Sequence, residues 1–264
     1  SQNQVRYLFG GDLLRQGIAT SMGVEKLQIP MFGLYGACST SGEALALASM
    51  SVAAGYGEYI LAVTSSHFGS AEKEFRFPLS YANQRPLSAH WTVTGSGAFL
   101  VGKKESHVRI SSLTVGKIVD YGLKDSQNMG ACMAPAACDT IWQNLQDFGR
   151  SPEDYSRIIT GDLGYVGQSI LFDLLLEKGY DIRGKHLDCG MTIFDQQTQD
   201  THAGGSGCGC AATVLSAYIL PKIERGEWER VLFVPTGALM STVSYNEGAS
   251  VPGIAHAIVL EHEA

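Results

Sequence analysis

Cys38 is the residue best placed to do chemistry in this sequence. It lies between a glycine-containing run, with Gly33 and Gly36, and a segment of small apolar residues that reads as a helix from Ser39. The free N–H groups and positive end of a helix start stabilise an anion. A thiol there would have a lowered pKa, and the same donors could hold an oxyanion. A small buried cysteine filling space at a tight turn reads equally well. A second cluster, Gly204-Gly205-Ser206-Gly207-Cys208-Gly209-Cys210, also precedes a small-residue helix pattern. Its N–H groups could cradle a phosphate, but the lysine and serine pattern of a P-loop is missing. Cys189, His202, Cys208 and Cys210 are zinc-ligand types. Zinc, however, favours cysteine pairs with wider spacing on turns, and Cys208 and Cys210 straddle a single glycine. No metal and no cofactor are expected.

His67 follows an apolar strand pattern at 59–64, and strand ends in α/β layers face ligand clefts. Glu72, Glu74 and Arg76 come next. Arg76 offers a planar fork to a carboxylate, and Arg85, in Gln84-Arg85-Pro86, is a second candidate. The alternative is a surface loop of ion pairs, the reading given to Glu72 and Lys73. His90, His107, His186, His256 and His262 read as structural or surface residues.

The elements that must position these residues recur. Residues 7–18 (YLFGGDLLRQGI) and 158–170 (IITGDLGYVGQSI) each run from an apolar stretch through Gly-Asp-Leu into a helix-like segment; the shared triplets are Gly11-Asp12-Leu13 and Gly161-Asp162-Leu163. Residues 33–50 and 202–219 each hold a glycine-rich loop, a cysteine and a small-residue helix. Residues 53–66 and 223–238 each hold a helix end, a capping glycine (Gly55, Gly226) and an apolar strand. Strand patterns at 91–104 and 253–263 close the halves. Such alternation argues a layered α/β architecture. The helix over 39–54 carries one charge, Glu43. A helix apolar all round is buried all round, so two such helices, one per half, imply sheets above and below them. The polar stretch 120–139 reads as linker and insertion, with a helix from near Thr140 and a new helix start at Ser151-Pro152.

The chain has 264 residues, 45% hydrophobic and 17% charged, so it can bury a large core and is not disordered. Its 31 glycines imply many tight turns or close backbone approaches. A net charge of −7 with no Lys/Arg cluster sets nucleic acid aside. No apolar run is long enough for a transmembrane helix, and no leader pattern opens the chain. The six cysteines therefore read as reduced thiols.

The strand before Gly11-Asp12-Leu13-Leu14, the Ile29-Pro30 step and Gly36-Ala37-Cys38-Ser39 ahead of a small-residue helix resemble the nucleophile region of the thiolase superfamily, which includes the condensing ketoacyl synthases. TSSHF at 64–68, EFRFP at 74–78, WTVTGSGA at 91–98 and HAGGSGCGCAATVL at 202–215 more specifically resemble a thiolase-like family of stage V sporulation proteins from spore-forming bacteria. The resemblance covers the whole chain. It implies an α/β, thiolase-like layered sandwich of two duplicated halves with buried central helices, with a leading strand–helix portion of the first half missing. The halves would be 1–119 and 151–264, joined by 120–150.

Catalytic members of the superfamily need a cysteine plus His/His or His/Asn. The histidine comes from the loop after the first strand of the second half, which reads Thr160-Gly161-Asp162-Leu163 here; the other group comes from the glycine-rich loop, here Ser206-Gly207-Cys208. Condensation requires a polarised thioester and a base, so this machinery looks dismantled. The resemblance implies a non-catalytic subunit that binds dipicolinic acid (pyridine-2,6-dicarboxylic acid), with or without calcium, and helps its uptake into the forespore. It would sit peripherally on the cytoplasmic face of a forespore or spore membrane, with other subunits of a membrane channel complex, as a homodimer. A working acyltransferase using Cys38 is the alternative. The ligand-binding residues would be Cys38 (a vestigial nucleophile position), Ser39, His67, Arg76, Asp162, His202 and Cys208. The stretch Asn128 to Pro135, with Met129 and Met133, is expected either to contact the membrane partners or to cap the pocket.

Overall fold

A computed structural model describes residues 4–70, 86–104 and 106–264. In chain order, the first part holds β1 (Val5–Gly11), α1 (Ile18–Val24), β2 (Met31–Gly33), α2 (Thr40–Ala53), β3 (Tyr59–Ser66), β4 (Trp91–Thr92) and β5 (Gly95–Gly102). There follow β6 (Val108–Val115), α3 (Met129–Asp147), β7 (Arg157–Thr160), α4 (Gly164–Glu177), β8 (His186–Asp188), α5 (Cys189–Thr192) and β9 (Gly205–Ser206). The chain ends with α6 (Cys208–Val214), α7 (Leu220–Glu224), β10 (Arg230–Val234), β11 (Thr236–Ala238), α8 (Thr242–Asn246) and β12 (Gly253–His262).

Two sheets carry the same wiring. In the first, the order is β2-β1-β3-β5, with β1 parallel to β2 and β3, and β5 antiparallel to β3. In the second, β7 is parallel to β8 and β10, and β12 is antiparallel to β10. The far side of β12 carries β6, although β6 lies within residues 1–119. The duplicated strings thus become equivalent strands, and Gly55 (φ +82°) and Gly226 (φ +67°) end the equivalent helices in the left-handed region.

The two small-residue helices fill the layer between the sheets. α2 packs on β1, β3 and β5 and, across the layer, on β12. One apolar cluster joins Ala44, Ala48 and Val52 of α2 to Val214 and Ile219 of the second helix and to Phe233 and Ile258 of the second sheet. The close approach is visible at Gly97, where a Cβ would stand 2.7 Å from the Ala212 Cβ of α6. The second helix widens to a π turn at Leu215–Ile219 before α7. Pro221 falls in the first turn of α7, where its missing N–H leaves one helix bond unmade; such insertions relieve the clash of a proline ring with the preceding turn.

The stretch between the halves differs from its sequence reading. The helix starts at Met129, about three turns before its expected start near Thr140, with the Asn128 side chain accepting from the Ala131 N–H at 3.3 Å. Gly130 and Pro135 misled the reading: Gly130 sits against Gly167 of α4, where no side chain fits, and Pro135 stands inside α3. The expected partner-contacting loop is therefore a buried helix. Met133 and Ala134 are fully buried and Cys132 nearly so, packed with Leu163, Leu171 and Val259. Ser151-Pro152 opens a single 3₁₀ turn, Pro152–Asp154, in place of a full helix; the Asp154 carboxylate accepts from the Ser151 N–H at 2.7 Å.

Met133 thus reports on stability and not on partner contact. Met133→Ala should cost about 2–5 kcal/mol by urea unfolding, the usual range for emptying a buried site, and Met133→Glu should leave no folded protein. A Met133→Glu variant with wild-type stability would return this segment to the surface.

Candidate functional site

The turn before α2 is built by its own side chains. Ala37 adopts a left-handed φ of +51°, uncommon for a residue with a Cβ. Thr40 holds it there: its Oγ1 donates to the Ala37 carbonyl at 2.7 Å and accepts from the Gly36 N–H at 3.0 Å. Ser39 Oγ donates to the Gly36 carbonyl at 2.6 Å. The Ser39 and Thr40 N–H groups bond to Gly36 and Ala37 carbonyls at 3.0 and 3.2 Å. These donors, expected to face a ligand, are spent inside the turn. Ser39 is adjacent to Cys38 but uses its hydroxyl within the turn.

Cys38 Sγ lies 3.6 Å from the Ser206 hydroxyl, which comes from the other half. Ser206 in turn donates to Asp162 Oδ2 at 2.8 Å. The same oxygen accepts from the Gly207 N–H at 3.0 Å, and Oδ1 accepts from the Thr236 hydroxyl at 2.8 Å. Asp162 is fully buried. Burial first, then the charge and hydrogen bond of Asp162, push the Cys38 thiol well above its ordinary pKa; the Ser206 hydroxyl pulls weakly the other way. The lowered thiol pKa expected from the helix start is not what the structure gives, because burial, with the Asp162 carboxylate behind it, works against the thiolate.

The duplication repeats this charge effect with the halves exchanged. Cys208, at the start of α6, is pushed up by burial and then by the charge of Asp12, the counterpart of Asp162. Its Sγ donates to the Ser65 carbonyl at 3.0 Å. Asp12 accepts from the N–H of Leu14 and from both the N–H and the hydroxyl of Thr20, at 2.7–2.8 Å. Leu13, Cys38 and Cys208 form a small apolar cluster between the halves.

A second buried carboxylate lies behind the first. Asp188 accepts from the Thr160 hydroxyl at 2.6 Å, from the N–H groups of Leu163 and Gly164 at the start of α4, and from the Met191 N–H of α5. Burial pushes it up to about 6, with the Asp162 charge adding to the effect. Thr160 also meets His186 Nε2 at 2.9 Å, and burial pushes that imidazole down to about 3. Cys189 and Cys210 are buried beside these carboxylates, with their thiols pushed up in turn. Among the described residues, no group of three His, Cys, Asp or Glu is arranged to hold a metal ion.

Of the expected ligand residues, the structure brings together Cys38, Asp162 and Cys208. His202 is not among them: its Nδ1 lies 2.8 Å from the Pro86 carbonyl and its Nε2 3.0 Å from Asp200. His67 is exposed just past β3, with Nδ1 accepting from the Gly69 N–H at 3.1 Å. The neighbouring Ser66 is the inward residue, donating to the Val93 carbonyl at 2.6 Å and accepting from the Gly209 N–H at 3.1 Å. Arg76, with Glu72, Glu74 and Arg85, lies outside the described residues. Sequence reasoning missed Ser206, Thr236 and Asp188 as individuals. Ser206 had a signal, being the one hydroxyl in a glycine loop; Asp188 and Thr236 had none until the strands were paired.

The family model for stage V sporulation protein AD (SpoVAD) matches residues 1–261. The chain belongs to the SpoVAD family. It is 43% identical over 261 residues to stage V sporulation protein AD of Bacillus subtilis (strain 168), covering 99% of this chain and 77% of that protein. Among solved structures it is similar to 3-oxoacyl-[acyl-carrier-protein] synthase III of Aquifex aeolicus VF5, with a TM-score of 0.61, 16% identity, and 99% and 79% of the two chains covered. It is also similar to AbyA1, a tetronic acid condensing enzyme, with a TM-score of 0.63, 15% identity, and 99% and 81% covered. At such identities these structures show the thiolase-like fold alone. Within that fold, this SpoVAD-family chain puts the carboxylate of Asp162 in the loop where the condensing enzymes were expected to place a histidine.

Two measurements follow. Iodoacetamide at pH 8 should leave Cys38 unmodified in the native protein, because the reactive form is the thiolate; Asp162→Asn should speed its labelling, read by peptide mass spectrometry. Wild-type labelling at the rate of a free thiol would contradict the assignment. The second concerns acid. His186 is depressed from 6.5 to about 3, so its contribution to stability is present above pH 6.5 and lost on acidification. Asp188 is raised from 3.8 to about 6, so its contribution is present at low pH and lost as the pH rises through 6. Between pH 7 and 4.5 the two nearly offset, each about 2–3 kcal/mol. Asp188→Asn removes one side, so acidification over that range should cost the variant about 2 kcal/mol more than the wild type in urea unfolding. An equal cost in both proteins would refute the offset.

Proposed function

We propose that this chain is a non-catalytic, thiolase-fold subunit of a sporulation membrane complex that binds dipicolinic acid and helps its uptake into the forespore. The observation that carries the non-catalytic reading is the Cys38 thiol, kept protonated by burial and by Asp162. A condensing enzyme needs a thiolate and neutral donors for the oxyanion. Here the thiol faces a carboxylate, and the amides of Ser39 and Thr40 are already bonded. Family membership supports the sporulation role. Among the described residues, no helix is long and apolar enough to cross a membrane, which suits peripheral attachment at the cytoplasmic face through partner subunits. The open edge of β2, with Phe32 58% exposed, supports a homodimer built by strand pairing.

The floor of the site sets a condition on the ligand. Dipicolinate carries two carboxylates, and Asp162 is a third negative group whose partners are hydroxyls and an amide. A dianion therefore needs a counter-charge, from bound calcium or from His67 and Arg76. Calorimetric titration with dipicolinate, with and without calcium, tests this. Asp162→Asn should tighten binding of the calcium-free dianion about tenfold, since one like charge near the site is worth on the order of 1–3 kcal/mol. No heat in either condition would remove dipicolinate as the ligand. Turnover of acetyl- or acetoacetyl-coenzyme A above ~1 s⁻¹, abolished by Cys38→Ala, would overturn the non-catalytic reading.

A further inference from the structure

The expected ligand residue His202 has a different place in the fold, and its two ring nitrogens meet two groups that accept hydrogen bonds. Nδ1 lies 2.8 Å from the Pro86 carbonyl oxygen, and Nε2 lies 3.0 Å from a carboxylate oxygen of Asp200. A neutral imidazole carries one N–H and serves only one of them; the imidazolium serves both. The backbone at His202 is also left-handed, at φ +49°, a conformation that the surrounding contacts must hold.

What the ring holds is a strap. From Pro86 to Thr94 the chain runs along residues 201–206 as a short parallel ribbon, β4 against β9. The Ala203 N–H bonds to the Ala89 carbonyl at 3.0 Å, the Trp91 N–H to Gly204 at 2.9 Å and the Val93 N–H to Ser206 at 2.8 Å. At its far end the Val93 carbonyl is held by Ser66, and Trp91 is stacked on Phe68 with ring centroids 4.4 Å apart. The ribbon's last residue, Ser206, is the one that joins Cys38 to Asp162. The near end, at Pro86, has the His202 ring on its carbonyl.

We propose that His202 is a proton-operated clamp: as the imidazolium it fastens the strap of residues 86–94 onto the ribbon that carries Ser206 into the Cys38–Asp162 cluster, and on losing a proton it releases one anchor. Histidine is the side chain suited to such a change near neutral pH. The charged group facing the ring among the described residues is Asp200; the remaining contacts are the Pro86 carbonyl and the Gln196 amide, which donates to the His202 carbonyl at 3.5 Å. His202 is a positioning residue in this scheme, and the clamp works whatever the site binds.

Hydrogen exchange of the intact protein tests it, with rates corrected for the intrinsic effect of pH. In the wild type, protection of the Ala89, Trp91 and Val93 amides should fall about tenfold between pH 5.5 and 8, as for loss of one charged hydrogen bond. In His202→Gln, which keeps a neutral donor, the pH dependence should vanish. Exchange of the β7 and β10 amides serves as the control and should not follow this pattern. A wild-type strap whose protection is flat with pH, or one whose pH dependence survives in His202→Gln, overturns the proposal.

Discussion

The buried carboxylate of Asp162 is the tie on which the site depends. Its three partners come from two separate places: Ser206 and Gly207 in the glycine loop, and Thr236 at the start of β11. Burying a charge without such bonds costs several kcal/mol. Each donor is therefore constrained to its place, and through them the loops of the second half are fixed against one another. Cys38, from the first half, joins the same group. One carboxylate thus ties the two halves together at the point where their central helices begin.

Behind it, Asp188 does for α4 and α5 what Asp162 does for the loops. It accepts amides from the starts of both helices and the Thr160 hydroxyl from the end of β7. Burial first, and then the charge of Asp162, make Asp188 hold its proton more tightly. The thiols packed around the pair are pushed in the same direction. The interior is consequently a set of proton-holding groups, which is the opposite of what a thiolate nucleophile requires.

Much of the fold was legible because duplication repeats a signal. Gly-Asp-Leu, the cysteine before a small-residue helix, and the capping glycines Gly55 and Gly226 each occur twice in order, and they became equivalent strands and helices. The helix over 129–147 was not legible, since Gly130 and Pro135 read locally as turn residues. Their tolerance inside a helix comes from tertiary packing, Gly130 against Gly167, which no local pattern records. The site was legible to the level of residue types. Cys38, Asp162 and Cys208 were singled out, but the direction of the thiol's shift was wrong, because a helix start is visible in sequence whereas the burial and partners that outweigh it are not.

The exchanged pairing of the halves gives a reason for both GDL triplets. Asp162 of the second half meets Cys38 of the first, and the charge of Asp12 of the first acts on Cys208 of the second. A pseudo-two-fold relation places each helix-start thiol against the other half's carboxylate. The two sites have diverged in what the carboxylate does besides. Asp12 caps its own segment, through Leu14 and Thr20, and Cys208 turns to the Ser65 carbonyl. Asp162 reaches across to Ser206 and Thr236 instead, and Cys38 stays within reach of Ser206 and Asp162. The difference lies in where hydroxyls stand, since Thr20 serves Asp12 locally and no residue after Leu163 offers Asp162 the same. With its local donors absent, Asp162 must recruit side chains from distant loops, and that recruitment is what gathers a polar cluster around Cys38 and leaves none of equal extent around Cys208.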